Sequence, residues 1–239
     1  MKLEIKKHVP IAKDVYEMVL DCNVHMKPGQ FINIKINDSH IPFLRRPISV
    51  ANIEGGELTI IYKVFGEGTK ELSQRKVGEE LDCLLSLGNG FDISIKEDSI
   101  LLVGGGCGVP PLFYLAKELS KKGKKITSVL GFSSKEDVFL EKRLGEYGDV
   151  FVTTDDGSYG IKGNVMDIIK DLDFDYYMTC GPEAMLLALK SNYPKNGQLS
   201  FEERMGCGFG ACMGCSCETL TGYKRICVEG PVIKVEELI

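Results

Sequence analysis

Five of the chain's nine cysteines fall between Cys207 and Cys227. The other four, Cys22, Cys83, Cys107 and Cys180, are scattered among apolar residues. An odd total argues against a complete disulfide framework, and a cluster of reduced thiols points to metal binding or catalysis. The run reads Glu203-Arg204-Met205-Gly206-Cys207-Gly208-Phe209-Gly210-Ala211-Cys212-Met213-Gly214-Cys215-Ser216-Cys217. Four residues separate Cys207 from Cys212, two separate Cys212 from Cys215, and eleven precede Cys227. This is the plant-type ferredoxin spacing for a 2Fe–2S cluster, whose fourth ligand lies further along the chain. The glycines let the backbone curl around a compact anionic centre and turn N–H groups toward its sulfurs. A structural zinc site would show two Cys-x-x-Cys knuckles, and one is present. The candidate metal ligands are therefore Cys207, Cys212, Cys215 and Cys227. Cys217, two residues past Cys215, reads as a bystander beside the cluster.

The remainder of the 239 residues is ordinary globular material, 44% hydrophobic and 26% charged, which excludes a disordered chain. Net charge is −5 with no basic block, a poor basis for binding nucleic acid. The longest apolar stretch, around 100–116, is broken by Gly104, Gly105, Gly106, Gly108, Pro110 and Pro111, so no membrane span is expected. The first seven residues lack the apolar core of a secretory signal, and a cytoplasmic location is expected.

Two patterns divide the chain. Over 1–96, six short β-rich segments (3–8, 15–20, 31–36, 48–52, 58–64 and 80–85) alternate with turn signals, which predicts a six-stranded antiparallel barrel. Over 97–201, apolar strand runs at 99–103, 125–131, 150–154 and 176–180 alternate with helical stretches at 111–122, 135–144, 163–172 and 182–191. That alternation predicts a parallel sheet covered on both faces. Residues 202–239 fit neither pattern and include a hairpin around Gly222.

Within these regions, Gly104-Gly105-Gly106-Cys107-Gly108 follows a strand and opens a helix, where a dinucleotide pyrophosphate could approach the backbone. Its pattern departs from Gly-x-Gly-x-x-Gly, because Val109 takes the third glycine position. A purely structural strand-to-helix turn is the alternative reading of such a loop. Cys180-Gly181-Pro182 ends another parallel strand, at the sheet edge where ligands bind, and is also an ordinary strand-to-helix turn. Arg45-Arg46-Pro47-Ile48-Ser49 offers an arginine fork to a diphosphate or a surface pair beside a rigid turn. Gly68-Thr69 follows the strand at 58–64, where a helix is expected to begin with its N–H groups facing a phosphate. Asp155-Asp156 could approach a ribose or belong to a solvated loop. His8, His25 and His40 are isolated and read as surface or packing residues.

Taken together, these segments resemble the ferredoxin-reductase superfamily and, within it, the electron-transfer subunits of class 1B dihydroorotate dehydrogenases. The most specific parts are Arg46-Pro47-Ile48-Ser49, Gly88-Asn89-Gly90-Phe91, the glycine loop, Asp155-Asp156-Gly157-Ser158, and the cysteine run with Cys227-Val228-Glu229-Gly230-Pro231. The resemblance implies an FAD-binding barrel at 1–96, an NAD-binding α/β domain at 97–201 and a 2Fe–2S subdomain at 202–239. It implies that Arg46, Pro47, Ile48, Ser49, Ile61, Tyr62, Lys63, Gly68 and Thr69 meet FAD. It also implies that Gly104, Gly105, Gly106 and Gly108 lie at the NAD site, with Cys180 beside the nicotinamide. Many relatives in the superfamily carry a flavin-stacking tyrosine where Ile48 stands. The implied partner is an FMN-containing subunit that oxidises dihydroorotate to orotate, two copies of each forming a heterotetramer in pyrimidine biosynthesis. The implied electron route runs from dihydroorotate through FMN, cluster and FAD to NAD⁺. The alternative is the reductase subunit of a sulfide dehydrogenase, a transhydrogenase or an oxygenase.

Overall fold

In a computed structural model describing residues 1–37 and 42–239, the first part of the chain forms a closed barrel. His40 lies outside the described residues. The barrel strands are β1 (Lys2–Ala12), β2 (Val15–Asp21), β3 (Phe31–Lys35), β4 (Arg46–Glu54), β5 (Glu57–Lys63) and, after helix α1 (Glu67–Leu72), β6 (Glu80–Leu87). They run antiparallel in the order β1-β2-β5-β4-β3-β6 and close between β6 and β1. Alternation drives closure. Ile5, Met18, Leu20, Ile32, Ile34, Val50, Leu58, Ile60 and Leu81 share one interior core, and closure leaves no bare edge.

The second part is built from β7 (Ser99–Gly105), α2 (Val109–Lys121), β8 (Lys125–Phe132), α3 (Glu141–Leu144), β9 (Asp149–Thr154), β10 (Ile161–Lys162), α4 (Met166–Ile169), β11 (Tyr176–Cys180), α5 (Glu183–Asn192) and β12 (Gly197–Ser200). Strands β7 to β12 pair in parallel. The tail adds hairpin β13 (Ser216–Thr219) and β14 (Gly222–Arg225), then β15 (Val232–Lys234). β15 joins the sheet antiparallel to β12, so the order is β10-β9-β8-β7-β11-β12-β15. The expected parallel sheet is thus present with one antiparallel edge strand, which the three apolar-containing tail residues gave no pattern long enough to reveal.

Two expected helices are much shorter than their patterns. Over 135–144 the chain makes a 3-10 turn, extends at Val138, takes a left-handed φ at Leu140, and only then forms α3. The reason is tertiary. Phe139 and Leu140 are drawn into the core, where Phe139 meets Phe132 edge-on at 5.4 Å. Over 163–172 helix α4 keeps four residues, because Asp167 Oδ2 accepts from the Asn164 N–H and Asn164 Oδ1 from the Met166 N–H in a local cap.

The sheet buries both faces. Ile100 and Leu102 pack toward α2 and the barrel, while Leu101 and Val103 pack toward α4 and α5. Polar ties lock barrel to sheet. Lys63 Nζ bonds Asp137 at 2.8 Å, Tyr114 donates to the Met26 carbonyl at 2.9 Å, and Lys117 reaches Glu54 at 2.9 Å. The carboxylate of Glu17, 5% exposed, lies between Lys7 and Arg143, whose guanidinium covers Phe113 at 4.4 Å. Burial pushes that carboxyl up, but the two cations outweigh it and hold it below its usual range. Among the described residues, no helix is long and apolar enough to cross a membrane.

Candidate functional site

Strand order in the sheet reverses between β7 and β11. Chain connections run outward from β7 through β8 to β9, then return to add β11 and β12 on its other side. Such a switch point leaves a crevice at the carboxyl ends of the strands. The barrel's β4 and β5 face that crevice, and the segment from Ser200 to Met205 borders it on the way to the cysteine run. Together they enclose a cavity of about 830 Å³, within the ~300–1,000 Å³ range of cofactor sites.

All nine residues matched to FAD line this cavity, as do Cys107 and Cys180. The structure separates their chemistry. Arg45 turns away and is engaged by Asp82, with Nη2 to Oδ2 at 2.9 Å and Nη1 to the Asp82 carbonyl at 2.7 Å. Arg46 stays on the cavity wall. Its Nη1 donates to the Leu44 carbonyl, and its guanidinium lies where a Cβ on Gly68 would stand, 2.5 Å from Nε. Gly68 therefore makes room for this cation on the cavity wall. The Lys63 ammonium is already paired with Asp137. Tyr62 is likewise occupied: its ring stacks on Tyr16 at 5.9 Å and its hydroxyl meets His8 Nε2 at 2.8 Å. His8 Nδ1 lies 2.8 Å from the Arg75 carbonyl, which can only accept, so Nε2 is the acceptor for the tyrosine proton. His25 is exposed. Thr69 Oγ1 accepts from the N–H groups of Phe65 and Gly66, at 3.0 and 3.3 Å, and so shapes the turn.

The four loop glycines divide as well. A Cβ would stand 2.9 Å from Val109 on Gly104 and 2.7 Å from Pro182 on Gly105, and on Gly108 it would overlap the Cys180 carbonyl. Gly104 thus lets α2 press onto the end of β7, and Gly105 and Gly108 let the loop and the Cys180-Gly181-Pro182 turn press together. Gly106, at φ +49°, has open space where a Cβ would go, and it is the one suited to a ligand's close approach. Burial, reinforced by the charge of Glu202, pushes the thiols of Cys107 and Cys180 up to about 11 and about 12, so both are neutral at pH 7. Asp155 and Asp156 are exposed, and Asp156 Oδ1 accepts from the Ser158 N–H at 2.9 Å.

At the tail the cysteines pair two by two. The N–H groups of Ala211 and Cys212 point at Cys207 Sγ, at 3.2 and 3.4 Å, and the Cys212 thiol also bonds Cys207. Cys227 N–H points at Cys215 Sγ at 3.4 Å. Burial opposes ionisation of Cys207, yet the N–H groups of Phe209, Cys212 and Ala211 prevail and hold it at about 6. Burial, then contact with Cys215, pushes Cys227 up to about 12. Among the described residues, no three His, Cys, Asp or Glu side chains converge on one ion-sized point. Two thiol pairs are instead what a two-iron rhomb requires, two sulfurs for each tetrahedral iron, and the N–H groups already aimed at sulfur fit an anionic centre. Cys217 is half-buried against the small core of Phe31, Cys215, Ile226, Cys227 and Ile233.

Several contributors carried no sequence signal of their role. Asn33, 1% exposed, pairs with Pro47 on the cavity strand and reaches the Cys207 carbonyl with its amide nitrogen at 3.4 Å. Among the described residues, its buried Oδ1 meets no donor at the junction of cavity and cluster loop. Asn89, inside the quoted Gly-Asn-Gly motif, staples the tail to the barrel. Its side chain donates to the carbonyls of Glu229 and Val232, at 2.9 and 2.7 Å, and accepts from the Val232 N–H at 3.2 Å. Losing three such bonds costs about 3 kcal/mol. Asn89→Ala should therefore release iron faster into a chelator and lower the unfolding temperature, while FAD stays bound. Phe65 stands on the cavity rim, 78% exposed.

Comparison with known proteins agrees with this geometry. The family described as the iron-sulfur cluster binding domain of dihydroorotate dehydrogenase B matches residues 202–239. The chain is 49% identical to the "Dihydroorotate dehydrogenase B (NAD(+)), electron transfer subunit" of Bacillus pumilus (strain SAFR-032), over 99% of this chain and 96% of the relative. It is 45% identical to the same-named protein of Geobacillus sp. (strain WCH70), over 100% and 98%. A solved structure, reported for flavin-based electron bifurcation by NADH-dependent reduced ferredoxin-NADP oxidoreductase, superposes with a TM-score of 0.87 at 32% identity, covering 99% of this chain and 89% of that one. By sequence over its whole length and by fold, the chain belongs to the family of dihydroorotate dehydrogenase B electron-transfer subunits.

Proposed function

We propose that this chain receives electrons from dihydroorotate oxidation in a partner FMN-containing catalytic subunit and delivers them to NAD⁺, in pyrimidine biosynthesis in the cytoplasm. Two copies of each subunit would form the working complex. The observation that carries this reading is one cavity walled jointly by β4–β5, the Cys180 edge and the segment entering the cysteine run. When bound there, FAD would exchange single electrons with the cluster and a hydride with nicotinamide.

The chain's own residues bind, orient and insulate. Arg46, with Pro47, Ile48 and Ser49, would hold the flavin and its diphosphate. Ile61, Tyr62, Lys63, Gly68 and Thr69 would shape the rest of that wall. Cys207, Cys212, Cys215 and Cys227 would ligate the 2Fe–2S centre, with Cys217 outside the ligand set. NAD would lie over Gly106, with Gly104, Gly105 and Gly108 supporting the loop. Cys180, a neutral thiol 3% exposed, would pack beside the nicotinamide without charge.

Docking falls naturally to Phe209 and Met213, 58% and 56% exposed on the cluster loop. Met205, on the same loop, turns inward to the tail core and cavity wall. Reconstitution with the catalytic subunit should give dihydroorotate-dependent NADH formation; its failure with fully loaded subunits would reject the assignment. Phe209→Asp should weaken partner affinity about 100-fold, the loss typical of an apolar anchor, and unchanged affinity in a binding titration would remove the docking role. The likeness to the ferredoxin-NADP oxidoreductase structure favours, as a second reading, a reductase subunit serving another redox partner. Under that reading NADH would still reduce the bound flavin, but dihydroorotate with its FMN subunit would not.

A further inference from the structure

Electrons on the proposed route have to cross between the cysteine run and the flavin cavity, and side chains fill the space between the two. Tunnelling falls steeply as such a gap widens, and an unfilled gap slows it more than close-packed atoms do. The residues that fill the gap therefore set how fast the two centres exchange electrons.

Three side chains belong both to the cavity wall and to the small core around Cys215 and Cys227: Phe31, Phe201 and Met205. Phe201 and Met205 are only partly buried there. Phe31 is 3% exposed, and among the described residues it is the one cavity-lining side chain buried in that core. The barrel fixes its place. On β3, Ile32 and Ile34 point into the barrel core, so alternation turns Phe31 outward to the tail. In the antiparallel ladder Phe31 stands opposite Ser49 of β4 and Leu87 of β6. Opposed residues carry their side chains on one face, ~5 Å apart, so Phe31 lies beside the serine proposed to hold the flavin. Gly88, at φ +74°, makes room for the ring: a Cβ there would stand 3.2 Å from Phe31 and 2.6 Å from Pro231. The two thiol pairs also differ. Cys215 and Cys227 are buried with Phe31, whereas Cys212 is exposed and Cys207 half-buried.

We infer that Phe31 is the positioning residue across which cluster and flavin exchange electrons. Its ring fills the gap between the flavin and the iron held by Cys215 and Cys227, while the iron held by Cys207 and Cys212 faces outward to the electron donor. Each crossing moves one electron: the iron pair is oxidised by one and the flavin reduced by one. Phe31 is not itself oxidised and forms no bond, and the proton that the flavin takes up after two crossings comes from solvent. The inference rests on the function proposed above.

The test runs this path in reverse, in the full chain carrying FAD and cluster, by anaerobic stopped flow. NADH reduces the flavin first, and the losses of flavin and of cluster absorbance report the two steps separately. Phe31→Ala should slow cluster bleaching by NADH about 10-fold, the lower end of what losing a side chain beside a metal site costs, and change flavin bleaching less than about threefold. The final extent of cluster reduction should stay the same, because a wider gap changes the rate of crossing and not the difference in potential. Titanium(III) citrate, which meets the outer iron from solvent, should bleach the cluster equally fast in variant and unaltered protein. Phe31→Leu, which trims the ring without emptying the core, should slow the crossing in the same direction, and it carries the test if the alanine variant loads no cluster. An unchanged rate of cluster bleaching by NADH, a slowing shared by the titanium route, or a lower final extent of reduction overturns the assignment. Failure of NADH to reduce the flavin and, through it, the cluster of the unaltered protein would instead overturn the function on which it rests.

Discussion

Replacing Cys212 by serine will empty the iron centre and leave the flavin bound. Cys212 is the one exposed member of the four thiols, whereas Cys215 and Cys227 are each 2% exposed inside the tail core. Its loss therefore removes a soft ligand without opening a cavity or burying a hydroxyl. A serine oxygen is a poor substitute where iron is held by thiolates. Even changes beside a metal ligand cost 10- to 100-fold, so dihydroorotate-driven reduction should fall by more than about 100-fold. NADH should still reduce the flavin, because that route bypasses the cluster. Iron analysis and the visible spectrum read the outcome. If the cluster survives, the ligand set is wrong, and Cys217, which packs against the same small core, is the next residue to replace.

The second large effect distinguishes two neighbouring arginines. Arg46→Ala should raise the dissociation constant for FAD about 100-fold, equivalent to roughly 3 kcal/mol for losing charged hydrogen bonds to a diphosphate. The loss should shrink for riboflavin, which has no phosphate. Arg45→Ala should leave FAD affinity within about threefold and lower stability instead, because its guanidinium holds Asp82 and the backbone. That contact first, against burial, keeps the Asp82 carboxyl below its ordinary range. Its contribution to stability is therefore complete above the unfolded carboxyl pKa of ~3.9 and is lost as pH falls through the lower folded value. Arg45→Ala should flatten that part of the acid-unfolding curve. Equal losses of FAD affinity in the two variants would show that Arg46 has no special place on the wall.

The same pair shows what could be read from sequence. The β-rich runs such as 3–8 and 58–64, with turn signals between them, announced the barrel, since strand and turn chemistry is written locally, and the spacing of Cys207, Cys212, Cys215 and Cys227 is equally local. Arg45 and Arg46 are chemically identical as letters. Only the fold, which sends Arg45 to Asp82 just before β4 and Arg46 to the cavity wall, tells them apart. Helix 135–144 failed because Phe139 and Leu140 answer to Phe132 across the sheet rather than to their own neighbours. Asn89 was silent for a related reason: its partners Glu229 and Val232 lie 140 and 143 residues further along the chain.

The closing strand β15 makes the tail inseparable from the sheet that precedes it. Cutting the chain after Phe201 would strip β12 of its neighbour and expose a row of unpaired amides beside Leu199, an invitation to self-association. The redox tail is thus no bead on a string that recombination could exchange freely. Any substitute would have to bring its own capping strand, in register, before it could carry a single electron.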